Sequence, residues 1–164
     1  MLERIIYVSR VAAGVELADV MGILKAARER NASEDISGGL VFHDGWFVQV
    51  LEGPQAVVEA AFARIARDPR HVDLVLRSRE RALCRLFAGQ SMGFRTGTGL
   101  NPDVLREFDY RHGFSVEEFP ADDLLEFMVH ICWPERSCVN VHRPAMVSPD
   151  AGRQEHDGRI ARQM

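Results

Sequence analysis

Hydrophobic and polar positions change period several times along the chain, and each change marks an element. Residues 4–10 (RIIYVSR) are β-branched and aromatic, which predicts a short strand with Ile5, Tyr7 and Ser9 on one face and Ile6 and Val8 on the other. From Val15 to Arg30 the apolar residues Leu17, Val20, Met21, Leu24 and Ala27 move to helical spacing. Glu16 and Asp19 open that helix and Arg28 and Arg30 close it, as the macrodipole favours. Asn31 stands where the helix should end, and NASED has turn chemistry. ISGGLVFH and WFVQVLE then read as two strands joined by Asp44-Gly45, a two-residue hairpin loop. Pro54 suits the first turn of a second helix, with Val58, Ala61, Phe62 and Ile65 on one face and Asp68-Pro69 as its stop. VDLVLRS is a fourth strand, and residues 83–94 (LCRLFAGQSMGF) are expected to be a fifth.

The order β-α-β-β-α-β-β predicts an α+β chain, a ferredoxin-like split βαβ sheet with one added strand. The third strand adds a constraint. Phe47, Gln49 and Leu51 point one way and Trp46, Val48 and Val50 the other, so both sheet faces are apolar and neither suits water. Two helices cover one face only. Residues 101–133 are expected to cover the other, with NPDVLREFD and PADDLLEFMVHIC as short helices, the second carrying Leu124, Leu125, Met128 and Ile131 at helical spacing. The expected division is a sheet-and-helix domain over 1–95, a helical cap over 96–142, and a polar, aperiodic tail over 143–164.

Composition narrows the class. At 164 residues and 46% hydrophobic, the chain suits one domain with room for a core, and it is not wholly disordered. No apolar run nears the roughly 20 residues of a membrane helix, and MLERIIYVSR lacks the features of a secretory signal, so a cytoplasmic protein without a membrane span is expected. A net charge of −4 offers no global basic field for nucleic acid. Arg77, Arg79 and Arg81 alternate on the fourth strand, with Arg85 beyond, and read as a solvated strand edge. The cysteines Cys84, Cys132 and Cys138 are expected to be reduced thiols. His130, Cys132, Cys138 and His142 are zinc-ligand types, but their spacing matches no common zinc arrangement, so no metal is expected.

Gln49 is the polar oddity of its strand face. In a split βαβ sheet the first and third strands are central neighbours, so Tyr7 faces the same side. A buried amide needs specific partners. Two readings remain open at this level: a mutually satisfied core pair, or a pair that addresses a flat heteroaromatic ligand.

Tyr7 with Ser9, Arg30 with Asn31, the SGGL turn, FVQVLEG (Phe47 to Gly53), RDPRH (Arg67 to His71) and Gly89 with Met92 resemble the BLUF domain, a family of blue-light sensors that use FAD. The resemblance runs over residues 1 to about 95. It implies that Tyr7 donates an electron and a proton to an excited flavin, that Gln49 rearranges its hydrogen bonds at the ring, and that Met92 signals from the last strand. It further implies that Asn31 holds the polar ring edge, while Arg30, Ser9, Ile23, Phe47, Asp68, Arg70 and His71 line the ring or ribityl chain. FAD is the implied cofactor, with FMN or riboflavin able to take its place. Family members often carry tryptophan where this chain has Gln90. The implied protein is a sensor without catalytic turnover, signalling to a separate partner protein or through a homo-oligomer. Two rivals are weighed beside it. An acylphosphatase-like hydrolase shares the fold, yet Arg4 and Arg10 are not followed by a phosphate-cradling loop. A flavin-free interaction module would have little reason to keep Tyr7, Asn31 and Gln49 together.

Overall fold

The backbone of the first strand, β1 (Leu2–Val11), pairs with β3 (Trp46–Pro54) along one edge and with β4 (His71–Arg81) along the other. The computed structural model describes residues 1–110, 113–114 and 119–132, the side chain of Thr98 excepted. The sheet has five strands in the order β4-β1-β3-β2-β5, with β2 at Ser37–His43 and β5 at Gly93–Thr96. The first four strands pair antiparallel in the ferredoxin-like arrangement, and β5 adds to β2 in parallel. Asp44 and Gly45 both take positive φ (49° and 74°), the geometry that a tight two-residue hairpin demands.

Helices α1 (Leu17–Ser33) and α2 (Gln55–Ile65) lie on one sheet face, where Ile5, Phe47 and Leu51 meet Val20, Leu24, Val58 and Ala61. Leu17 and Met21, expected on the apolar stripe of α1, are instead 55% and 47% exposed. The opposite face is apolar too. Ile6, Val8, Val48 and Val50 pack there against Phe114, Phe119, Leu124, Phe127 and Met128 from α4 (Ala121–Cys132) and the chain before it. A shorter helix, α3 (Pro102–Glu107), is capped by Asn101, whose side chain accepts from the Asp103 amide at 2.9 Å. Phe119 and Phe127 are buried, not available for an oligomer contact, and Trp133 lies outside the described residues.

Three expectations change. The fifth strand is four residues long and begins at Gly93, so residues 83–92 form an irregular crossing and Met92 stands one residue before the strand. Helix α1 continues past Asn31 to Ser33, which places Asn31 in its last turn. The arginines of β4 are not simply solvated: Arg77 donates to the Phe114 carbonyl at 2.8 Å and also to the Phe119 carbonyl, while Arg79 pairs with Glu3 at 2.8 Å and with Glu59. They bind the edge strand to the chain before α4 and to α2.

Among the described residues no group of three or more metal-ligand side chains forms, and the His130 ring is engaged with the Glu126 carbonyl. Cys138, His142 and the expected tail lie outside the described residues. Among the described residues no helix is long and apolar enough to cross a membrane.

Candidate functional site

The register of β1 and β3 sets Tyr7 directly opposite Gln49. Directly opposed residues share a face, so both side chains enter the layer between sheet and helices. Tyr7 is fully buried and donates its hydroxyl to Oε1 of Gln49. Burial pushes the phenol well above its ordinary pKa, with the Asp68 charge adding to it, so Tyr7 is held as a neutral donor. The other end of the Gln49 amide donates to the Met92 sulfur at 3.4 Å. A thioether is a weak acceptor, which leaves the amide nitrogen poorly satisfied in a buried place.

Above this pair a cleft of about 180 Å³ opens between α1 and α2. Ile23, Ala26, Ala27, Arg30 and Asn31 line it from α1, and Ala61, Arg64 and Ile65 from α2. Asp68 and Arg70 come from the loop that follows, His71 from the start of β4, and Gln49 from the sheet. The alanines leave the space between the helices unfilled. Of the residues singled out from the sequence, Ile23, Arg30, Asn31, Gln49, Asp68, Arg70 and His71 thus meet in one cleft. Tyr7, Ser9, Phe47 and Met92 do not line it; they contact residues that do. Ser9 Oγ sits 2.7 Å from His71 Nδ1, and the Phe47 ring lies 4.7 Å from the His71 ring. Sequence reading missed Ala26, Ala27, Ala61, Arg64 and Ile65 as lining residues. Three of those were assigned to apolar helix faces, and the available signal was that small residues stood where core positions usually carry large ones.

The electrostatics of the rim are specific. Arg70 donates to both oxygens of Asp68 and, with its backbone amide, fixes the turn. The guanidinium hydrogen bond holds the Asp68 carboxyl down to about 2, against a smaller burial effect. His71 is lowered as well, for a different reason: burial disfavours its charged form, with Asp68 opposing, so the ring is neutral near pH 7. Asn31 is buried and donates to the Ser91 carbonyl at 2.8 Å, while Arg28 donates to the Met92 carbonyl at 3.0 Å. Gln90 keeps out of the cleft. Its Oε1 is buried without a hydrogen-bond partner among the described residues, against Gly93, where a β-carbon would lie 2.3 Å from it. Gln90 therefore neither competes for Gln49 nor displaces Met92 from it.

This arrangement has counterparts among known proteins. The chain is 33% identical over 75 residues to the blue light- and temperature-regulated antirepressor BluF of Escherichia coli (strain K12), a stretch that is 46% of this chain and 19% of that one. It is 38% identical over 73 residues to the photoactivated adenylate cyclase subunit beta of Euglena gracilis, of which only 8% is spanned. Among solved structures, the photo-activated state of BlsA superposes with a TM-score of 0.72 at 28% identity, covering 81% of this chain and 96% of that one. The dark-state structure of BlrB, a BLUF protein, gives 0.60 at 33% identity over 65% of this chain and 83% of that one. Residues 2–93 match the family model for sensors of blue light using FAD, and the chain belongs to the BLUF family.

Proposed function

We propose that this chain is a blue-light photoreceptor that binds a flavin non-covalently in the cleft between α1 and α2. The observation that carries the reading is the Tyr7–Gln49–Met92 chain of hydrogen bonds beneath that cleft. The residues present fit the group: Gln49 has amide capacity to spare, Asn31 offers a second amide at the rim, and the alanines make a slot for a flat ring. A space of about 180 Å³ suits the ring end of a flavin and not a whole dinucleotide. Recognition would therefore centre on the ring, with FAD the family's cofactor and FMN or riboflavin acceptable. Arg30, Arg70 and His71 would flank the ribityl chain, and Ile23 would pack on the ring.

When bound, a flavin absorbs blue light and in its excited state takes up one electron. Tyr7 is the donor placed nearest Gln49. Its phenolic proton already points at Oε1 of Gln49, so loss of an electron from the ring would release that proton to the amide. An amide that takes this proton on oxygen and passes one from nitrogen to the bound flavin, or one that simply rotates, would exchange donor for acceptor without large motion, and return of the electron and a proton would restore Tyr7. One net hydrogen bond is worth about 1 kcal/mol, which biases a nearby two-state element roughly fivefold. Met92 and Asn31 tie the site to the start of β5, and β5 and α4 would pass the change to a separate signalling protein or to self-association in the cytoplasm. The chain would sense without turnover of its own.

Purified protein should be yellow and show a small, reversible red shift of its flavin band under blue light. Gln49→Leu should keep the colour and lose the shift. A colourless protein that takes up no flavin overturns the reading, and a Gln49→Leu variant that still shifts overturns the role of the amide.

A further inference from the structure

The crossing between β4 and β5 has no strand ladder of its own; the Gly38 amide donates to its Gln90 carbonyl at 3.0 Å, Asn31 and Arg28 hold the Ser91 and Met92 carbonyls, and the rest of its anchorage is at the root. At its root stands Glu52, at the end of β3 and wholly buried. Its Oε1 accepts from Arg4 Nε at 2.7 Å and from the Leu86 amide at 3.0 Å. Its Oε2 accepts from the Phe87 amide at 2.9 Å and lies 3.4 Å from the Ser37 hydroxyl. Arg4 reaches on to the Cys84 carbonyl at 3.1 Å. Phe87 is itself fully buried, and its carbonyl accepts the Gln90 amide at 3.0 Å. Two residues further, Met92 meets Gln49. Strand β3 therefore grips the same segment twice, at the root through Glu52 and at the tip through Gln49, three residues apart on opposite faces.

We propose that Glu52 is a positioning residue for the photochemical site: by clamping Leu86 and Phe87 it sets where Met92 stands against Gln49. Bonds to a buried carboxylate are short and charge-assisted, so the root is stiffer than the thioether contact at the tip. When the Gln49 amide rearranges, the Met92 side chain can shift while the root stays fixed, and Glu52 sets the position from which it moves. The optical consequence rests on the flavin reading above; the structural one does not.

The test is Glu52→Gln in the full chain. With Arg4 retaining the amide oxygen, the new NH2 group faces the Phe87 N–H, donor against donor. Without flavin, hydrogen exchange at Leu86 and Phe87 should quicken about tenfold or more, and the acceleration should extend to Met92. With flavin bound, dark recovery after a blue pulse should change by about threefold or more, and that change should vanish in a Met92→Ala background. Should Glu52→Gln fail to fold, Ser37→Ala is the milder probe and should give the same pattern at smaller size. Acceleration confined to Leu86 and Phe87, or a recovery change that persists without Met92, overturns the proposal and makes Glu52 a purely structural anchor. A failure of the flavin reading looks different: the unmutated protein is colourless while the exchange pattern still stands or falls.

Discussion

His71 illustrates how much one side chain reports of its surroundings. It is half-buried between a serine hydroxyl and the rings of Phe47 and Tyr7, the latter 6.0 Å away, and its partial burial disfavours the charged form. Because its pKa is lower in the folded protein than the roughly 6.5 of the unfolded chain, the unfolded state binds the proton first. Its contribution to stability is therefore complete above about pH 6.5 and is lost as pH falls toward the folded value. The urea midpoint should drop between pH 7.5 and 5.5, and His71→Gln should show a smaller drop. Asp68 acts in a separate window. Arg70 holds it down to about 2, so its share persists through that range and is lost only in strong acid. At this scale the sequence was informative where a polar residue interrupted an apolar strand face, as Gln49 does. It was uninformative where the cleft is shaped by small side chains, as at Ala26 and Ala61, or lined by a cation such as Arg64, whose partner Glu34 at 2.8 Å lies just past the end of the other helix.

Elements with a strong local signal emerged as the pattern implied: the Asp44-Gly45 hairpin, α2, and α4 with Leu124, Met128 and Ile131 inward, whereas α1 formed but runs past Asn31 and exposes Leu17 and Met21. The need for a cover on the second face followed from Val48 and Val50 alone. The fifth strand did not follow, for a physical reason. Residues 83–92 look like a strand because they are apolar, but Glu52, Arg4, Asn31 and Arg28 satisfy their backbone groups from the side. Gly89 at φ +82° breaks any extended run. No local pattern encodes partners 34 to 80 residues away. Glycine at 38 belongs to the same scale. A β-carbon there would stand 2.0 Å from the Val50 carbonyl oxygen, a backbone atom of the paired strand. Gly38→Ala should therefore destabilise the protein by about 2 kcal/mol or more, measured by denaturant unfolding.

Taken whole, the molecule is three layers with the sheet in the middle, and its thiols give access to the fit between layers. Cys84 is exposed, whereas Cys132 at the end of α4 is buried and burial pushes its thiol up to about 12. In a chain whose other two cysteines are replaced by serine, alkylation of Cys132 should be at least about a hundredfold slower than that of Cys84 in the converse variant. Mass spectrometry over time would measure both, and an equal rate would show that α4 leaves the sheet freely. The tight fit has a cause at Gly39, where a β-carbon would sit 2.9 Å from the Cys132 sulfur and 3.1 Å from the Phe87 ring. Most contacts between layers run through side chains that can change rotamer and so take up small displacements. Here the Cys132 side chain rests on bare main chain. With no side chain on the β2 half of this contact there is less slack to take up, so a displacement of β2 at Gly39 is felt first at the end of α4.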